Sequence, residues 1–219
     1  MERIDDLQYE GLILYQDTDY ARFGADALKL CAFMRLTKND RVVELGSGTG
    51  VICVLGARRT GAHFTGVERQ ARLVELSQKS AEQNKQEIRF LEADVSDAPE
   101  ILGRGAFTAA VTNPPYFLSG EVNANPSYAV ARHDAANVLN AFLCSAFQLL
   151  KNGGNLFLIY PADALSELLA ALRGHRLEPK RLRFLYTKRD TAAQRVLVEA
   201  KKLARPGLKV EPPDWLQEA

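Results

Sequence analysis

Residues 41–60 read RVVELGSGTGVICVLGARRT. The first part is a short β-branched run that ends in glycine, the pattern of a strand buried on both faces. From Val51 onward the apolar residues recur at helical spacing. Between the two parts stand Gly46, Gly48 and Gly50. Glycines at such a junction let the backbone turn sharply and let a ligand approach it closely. A single strand–glycine–helix unit is a weak signal, so the flanking sequence has to decide the fold.

The flanks alternate. HFTGVE (63–68) reads as a second strand and ARLVELSQKSAEQNK (71–85) as a helix with Leu73, Leu76, Ser80 and Ala81 on one face. IRFLEAD (88–94) and FTAAVTN (107–113) read as the third and fourth strands. NVLNAFLCSAFQLL (137–150) is a strongly apolar helix stopped by Gly153 and Gly154, NLFLIY (155–160) a fifth strand, and ADALSELLAALRGH (162–175) another helix. A helix over 24–36 leads into the first strand. Alternation at short spacing predicts an α/β fold with a mostly parallel sheet and helices on both faces. The stretch 181–202 predicts an antiparallel hairpin closing that sheet. The expected organisation is one domain over residues 1–205, of which 1–38 frames the site, followed by a short, loose tail over 206–219.

Composition narrows the class. The chain has 47% hydrophobic and 25% charged residues, which is globular rather than disordered. With 28 basic and 27 acidic residues there is no global field for nucleic acid, so any such contact must come from local clustering. Cys31, Cys53 and Cys144 are scattered among apolar neighbours and read as small buried hydrophobes, without metal spacing. No apolar run approaches the ~20 residues of a membrane helix, and the acidic start is not a signal peptide, so the expected compartment is the cytoplasm.

The glycine loop departs from the dinucleotide fingerprint, because Val51 stands where GxGxxG needs its third glycine. Glu44 precedes the loop, which suits a ligand bearing a positive amine more than a pyrophosphate. Glu68 ends the second strand, where a carboxylate can accept from both hydroxyls of a ribose. Asp94 ends the third, where it can touch the exocyclic amine of a purine. An amino acid, a ribose and an adenine together describe S-adenosylmethionine. A solvated loop acid or helix cap is the plainer reading of each acid alone, and their recurrence at successive strand ends weighs against it.

The fourth strand ends in Asn113-Pro114-Pro115-Tyr116. Two prolines remove two backbone donors, fix two φ angles and hold Asn113 out of the helical region. An exocyclic or carboxamide nitrogen is a poor nucleophile because its lone pair is delocalised. The Asn113 side-chain oxygen and the Pro114 carbonyl are two acceptors that would localise that pair. Tyr116 offers a flat face for stacking. In-line attack on a sulfonium methyl then needs positioning and no metal.

Together, ELGSGTG, Glu68, Asp94 and NPPY resemble the class I S-adenosylmethionine-dependent methyltransferases that act on planar amino nitrogens, which implies their Rossmann-like fold with a seven-stranded sheet. LILYQDTDYARFGADALKL (12–30), YAVARHD (128–134) and QRVLVEAKK (194–202) resemble more closely the bacterial tRNA adenine-N6 methyltransferases that modify adenine 37 of a valine tRNA. That resemblance implies tRNA as partner. It places Phe23, Gly24 and Asp26 near the methionine end of the cofactor, and has Gln16 and Tyr20 frame the site. Arg132 and His133 would lie over the substrate, with Tyr116 and Phe117 receiving the base. The chain departs from the family at Asp134, where glutamate is usual, at Lys29, where an apolar residue is preferred, and in the tail EPPDWLQEA.

Local charge is compatible with RNA. Residues 173–205 are rich in Lys and Arg and poor in acids, which suits either phosphate contacts or a solvated strand edge kept from aggregating. The segment 117–134 reads as a long loop suited to a lid. His63 and His175 receive no role. Alternative readings are methylation of a protein glutamine amide, of guanine N2 in rRNA or of adenine N6 in DNA. More remote are a nicotinamide oxidoreductase and a non-catalytic RNA-binding module. Oligomeric state is not legible.

Overall fold

The computed structural model describes residues 1–20, 23–115 and 127–216, and for residues 127–135 the backbone only. In chain order a hairpin of β1 (Glu2–Asp6) and β2 (Ile13–Asp17) precedes α1 (Ala25–Phe33). Then follow β3 (Arg41–Leu45), α2 (Val51–Thr60), β4 (His63–Glu68), α3 (Ala71–Gln83), β5 (Arg89–Glu92), α4 (Ala98–Leu102) and β6 (Phe107–Thr112). The second half holds α5 (Ser127–Leu149), β7 (Leu150–Pro161), α6 (Leu165–Gly174), β8 (Leu177–Tyr186), β9 (Arg195–Lys202), β10 (Lys209–Val210) and β11 (Asp214–Trp215).

The seven long strands lie in the order β5-β4-β3-β6-β7-β9-β8, with β10 and β11 both pairing along the outer side of β8. β3 to β7 are parallel, and β9 runs antiparallel between β7 and β8. After β3 the chain moves outward to β4 and β5, then returns to place β6 on the other side of β3. Loops that leave adjacent strands in opposite directions open a crevice, and in such sheets that switch point is where ligands bind. Here it lies between β3 and β6, whose last residues Leu45 and Thr112 are paired. The Thr112 hydroxyl also donates to the Leu45 carbonyl at 2.9 Å.

Side chains alternate between two cores. Val42, Ala109, Val111, Phe157 and Leu197 face α1, α2 and the N-terminal hairpin, whereas Val43, Ala110, Leu156, Leu158 and Val198 face α5 and α6. No described helix is long and apolar enough to cross a membrane.

Several expectations from sequence change. The β1–β2 hairpin lies where no strands were expected. It docks on α3 through side chains: Asn84 Nδ2 donates to the Ile13 carbonyl (2.7 Å), Asn84 Oδ1 accepts from Ile13 N–H (3.0 Å), and Ser80 Oγ accepts from Tyr15 N–H (2.9 Å). Helix α5 starts at Ser127, not Asn137, because 127–136 contains neither glycine nor proline and continues the helix upstream. The expected lid over 117–134 is thus helical from residue 127, and its remainder, 117–126, lies outside the described residues. Gly153 and Gly154 do not cap that helix: β7 begins at Leu150, and the pairing jumps from Phe107–Leu150 to Ala109–Asn155 around Gly153 at φ +75°.

The last correction concerns the tail. Its residues 209–216 are fastened to β8, and Glu211 is buried against Arg35, Arg181 and Arg183 (2.9, 3.2 and 2.8 Å). Arg181 also donates to Glu199 (2.7 Å) and to the Phe33 carbonyl (2.8 Å), with its guanidinium carbon 3.8 Å from the centre of the Phe33 ring. Burial opposes the charge on Glu211, yet Arg183 and Arg181 outweigh it and hold the carboxyl below its usual range. Lys29 pairs with Asp214 at 3.2 Å, so two departures from the family pattern meet each other. Among the cysteines, Cys31 and Cys53 are buried as expected, while Cys144 is exposed.

Candidate functional site

The turn after β3 is built from backbone. Gly46 and Ser47 N–H groups both donate to the Val67 carbonyl (2.9 and 3.0 Å), which ties the loop to the end of β4. Gly50 N–H donates to the Ser47 carbonyl at 2.8 Å, and Gly50 then caps α2 with φ +78°. A Cβ at Gly50 would stand 2.8 Å from the Phe90 ring, whereas one at Gly48 (φ +54°) would meet nothing within 4 Å. Gly48 therefore faces open space, and that space is a cavity of about 750 Å³.

Three carboxylates converge on it from successive strand ends. Glu44, 2% exposed, accepts from Cys53 N–H at 3.0 Å. Burial, reinforced by nearby Glu68, pushes its carboxyl up to about 8. Glu68 accepts from Gly48 N–H (3.1 Å) through one oxygen and from Gln70 N–H (3.0 Å) through the other. The Gln70 side-chain amide also donates to that second oxygen (3.3 Å), so the oxygen facing Gly48 is the one that keeps a lone pair for a ligand. Asp94 turns one oxygen onto the Ser96 hydroxyl and N–H, and those bonds hold its carboxyl below the usual range. Apolar walls come from Ile52, Leu73 and Val95, and from Val138, Ala141 and Phe142 on one face of α5.

Asn113 closes the crevice from β6. Its Oδ1 is buried and has no hydrogen-bond partner among the described residues. A buried acceptor left empty costs roughly 1–3 kcal/mol, so its orientation suits a donor brought by a ligand. Pro114 behind it is buried and Pro115 lines the cavity.

Of the residues singled out in the sequence, Phe23, Gly24, Glu44, Gly46, Gly48, Glu68, Asp94 and Asn113 line this cavity together with Tyr20. Gly50 shapes the loop from beneath. Gln16 stands behind the lining: its Oε1 accepts from Phe23 N–H (3.4 Å) and its Nε2 donates to Asp5. Asp26 turns away from the cavity toward Arg195 of β9, at 2.9 Å. Tyr116 and Phe117 lie outside the described residues, as do the side chains of Arg132 and His133. His175 meets Asn140 at 3.1 Å. Sequence reasoning missed Asp19, Arg69, Gln70 and the α5 wall. Arg69 and Gln70 were signalled by following Glu68, and the wall by the helical spacing of Val138, Ala141 and Phe142.

The arrangement suits a ligand with a cation near Glu44, vicinal hydroxyls near Glu68 and a flat amino-bearing ring near Asp94. A model of the methyltransferase small domain family matches residues 23–172. Among known proteins, the chain is 26% identical over 193 residues to the tRNA1(Val) (adenine(37)-N6)-methyltransferase of Phocaeicola vulgatus, covering 88% of this chain and 82% of the relative. It is 32% identical over 149 residues to the protein of the same name from Shewanella amazonensis, covering 67% and 64%. Among solved structures, a predicted O-methyltransferase from Agrobacterium tumefaciens superposes with TM-score 0.71 at 25% identity, covering 89% of this chain and 88% of that one.

Proposed function

We propose, from the premise that this chain belongs to the methyltransferase small domain family, that it methylates N6 of an adenine in the anticodon loop of a tRNA, using S-adenosylmethionine. The observation that carries the reading is the empty, buried Asn113 Oδ1 at the mouth of an acid-lined crevice. The residues present fit that cofactor: Glu44 would face its ammonium, Glu68 its ribose hydroxyls and Asp94 its adenine amine. When bound, the cofactor supplies an electrophilic methyl on a sulfonium.

The remaining work falls to the chain. Asn113 Oδ1 accepts one N–H of the target amine and the Pro114 carbonyl accepts the other, which disfavours delocalisation of the nitrogen lone pair into the ring. The double proline keeps both acceptors rigid, so little reorganisation accompanies the reaction. Tyr116 stacks on the base once it has swung out of the loop. Residues 1–38 frame the cavity, with Gln16 setting the backbone at Phe23.

The test is nucleoside mass spectrometry of tRNA incubated with the protein and S-adenosylmethionine, with rRNA, DNA and protein pools in parallel. N6-methyladenosine should appear in tRNA, and Asn113→Ala should lower turnover about 100- to 1,000-fold, as loss of one preorganised polar group typically does. Its affinity for the cofactor should not change. Methyl label confined to another pool, or an Asn113→Ala variant with full turnover, would overturn the assignment.

A further inference from the structure

Some cations of residues 173–210 are engaged within the fold, among them Arg173 with Glu178 and Lys180 with the Arg205 carbonyl. Arg181, Arg183 and Arg195 are engaged by Glu199, Glu211 and Asp26. Lys202 donates to the Phe147 and Leu150 carbonyls (2.6 and 2.7 Å). By contrast Arg176, Lys188, Arg189, Lys201, Arg205 and Lys209 are exposed and make no ion pair among the described residues. Four of these, Lys188, Arg189, Arg205 and Lys209, follow the β8 edge. Lys188 and Arg189 sit in the turn joining β8 to β9, which lies at the same end of the sheet as Asn113, because Leu185 pairs with Arg195 and Pro161 with Arg195. Lys209 pairs beside Arg181 farther down β8. Arg205 is held there by its carbonyl, which accepts from Lys180 Nζ at 3.1 Å.

These positions trace one edge of the molecule. From Lys180 to Lys188 is eight residues of strand and turn, about 26 Å at about 3.3 Å per residue. The edge strand stands three strand spacings from β6, about 14 Å from the strand that carries Asn113. Gatekeeping against strand addition can account for Lys209 on the outermost strand β10, but not for Lys188 and Arg189, which lie in a turn beyond β8.

We infer that this edge is the track along which the tRNA backbone lies. The 188–189 turn holds phosphates next to the flipped base, and Arg205 and Lys209 hold phosphates of the stem below it. The inference rests on the tRNA reading given above. A run of cations about 26 Å long matches several base pairs of duplex, at about 3.4 Å each. Contacts of this kind position the substrate and carry no sequence information. The track therefore sets affinity and register, while Asn113 and its neighbours set the chemistry.

The experiment compares two double variants on the track, Lys188→Glu with Arg189→Glu and Arg205→Glu with Lys209→Glu, against a control of equal charge change on the opposite edge, Lys85→Glu with Arg89→Glu. The substrate is an unmodified tRNA transcript with an adenine in its anticodon loop. Each track variant should raise KM for tRNA about 10- to 100-fold and leave kcat at saturation and cofactor affinity unchanged. It should also flatten the dependence of log KM on log salt by about one for each phosphate set free. The control should match wild type in all four. Track variants that match the control, while wild type methylates the transcript, overturn the track alone. A wild type that methylates no tRNA overturns the reading beneath it and the track with it.

Discussion

Glu44→Gln separates the fold from the function. In the folded protein the Glu44 carboxyl is pushed up to about 8 from the ordinary 4.5 by burial, with Glu68 adding to the effect. Between those two pH values the folded chain holds a proton that the unfolded chain has released. Stability therefore falls as pH rises through that window and levels off above it. At about 1.36 kcal/mol per pH unit the ceiling is roughly 5 kcal/mol; relaxation and water entry reduce it, and about 2 kcal/mol is a fair expectation. Gln keeps an acceptor for Cys53 N–H and cannot ionise. The variant should match wild type near pH 5 and exceed it by about 4–8 °C in Tm at pH 9, in the absence of cofactor. The difference between the two proteins cancels every other titration except that of groups coupled to Glu44. Cofactor binding should move the opposite way. Pairing with an ammonium requires the carboxylate, so wild-type affinity should climb toward pH 8 by up to tenfold per pH unit, whereas the variant binds weakly at every pH. Thermal scans from pH 5 to 9 and calorimetric titration with S-adenosylmethionine read both effects. A Tm difference that does not vary with pH, or a variant that binds as tightly as wild type, would refute the reasoning.

Other substitutions probe the frame around the site. Glu211→Ala strips the buried Arg181 of one carboxylate partner and should cost about 3 kcal/mol in urea unfolding; a cost under about 1 kcal/mol would mean that Glu199 and the Phe33 carbonyl suffice. Gly48→Ala adds only left-handed strain, about 1 kcal/mol, while Gly50→Ala adds the same strain and a Cβ 2.8 Å from Phe90, for a further 1–3 kcal/mol or so. Equal effects at the two positions would show that the Phe90 ring yields freely. Lys202→Met leaves the Phe147 and Leu150 carbonyls at the end of α5 without their donor and should lower stability by about 2 kcal/mol, unless unfolding curves of the two proteins coincide.

What could be read in the sequence is what local pattern controls. The β-branched run before Gly46, and acids that recur at strand ends, arise from strands that are buried on both faces and must stop at the ligand. Boundaries were legible to within a residue or two at α2 and β4, whereas β7 begins five residues before the expected Asn155. The N-terminal hairpin was not legible, because ILYQD docks on α3 through backbone bonds to Ser80 and Asn84 and of its side chains only Leu14 is an apolar one fully buried in the core. The tail was misread for a related reason. EPPD has the composition of a loose end, and what fastens it is a set of long-range charge contacts from Glu211 and Asp214 to Arg35, Arg181, Arg183 and Lys29 that no local rule encodes. Asp26 shows the same limit: its position suggested the cavity, and its partner on β9 pulls it elsewhere.

The contact between Lys29 and Asp214 joins residues 185 positions apart, and Arg35 reaches Glu211 in the same way. The helix that opens with a wall of the cavity is thus secured by residues synthesised long after it. Most of the sheet can pair while the chain is still being made, since its parallel neighbours follow one another closely. The first helix cannot. Its anchoring waits on Glu211 and Asp214, so a nascent chain passes through a stage with an assembled glycine turn and an unbraced entrance.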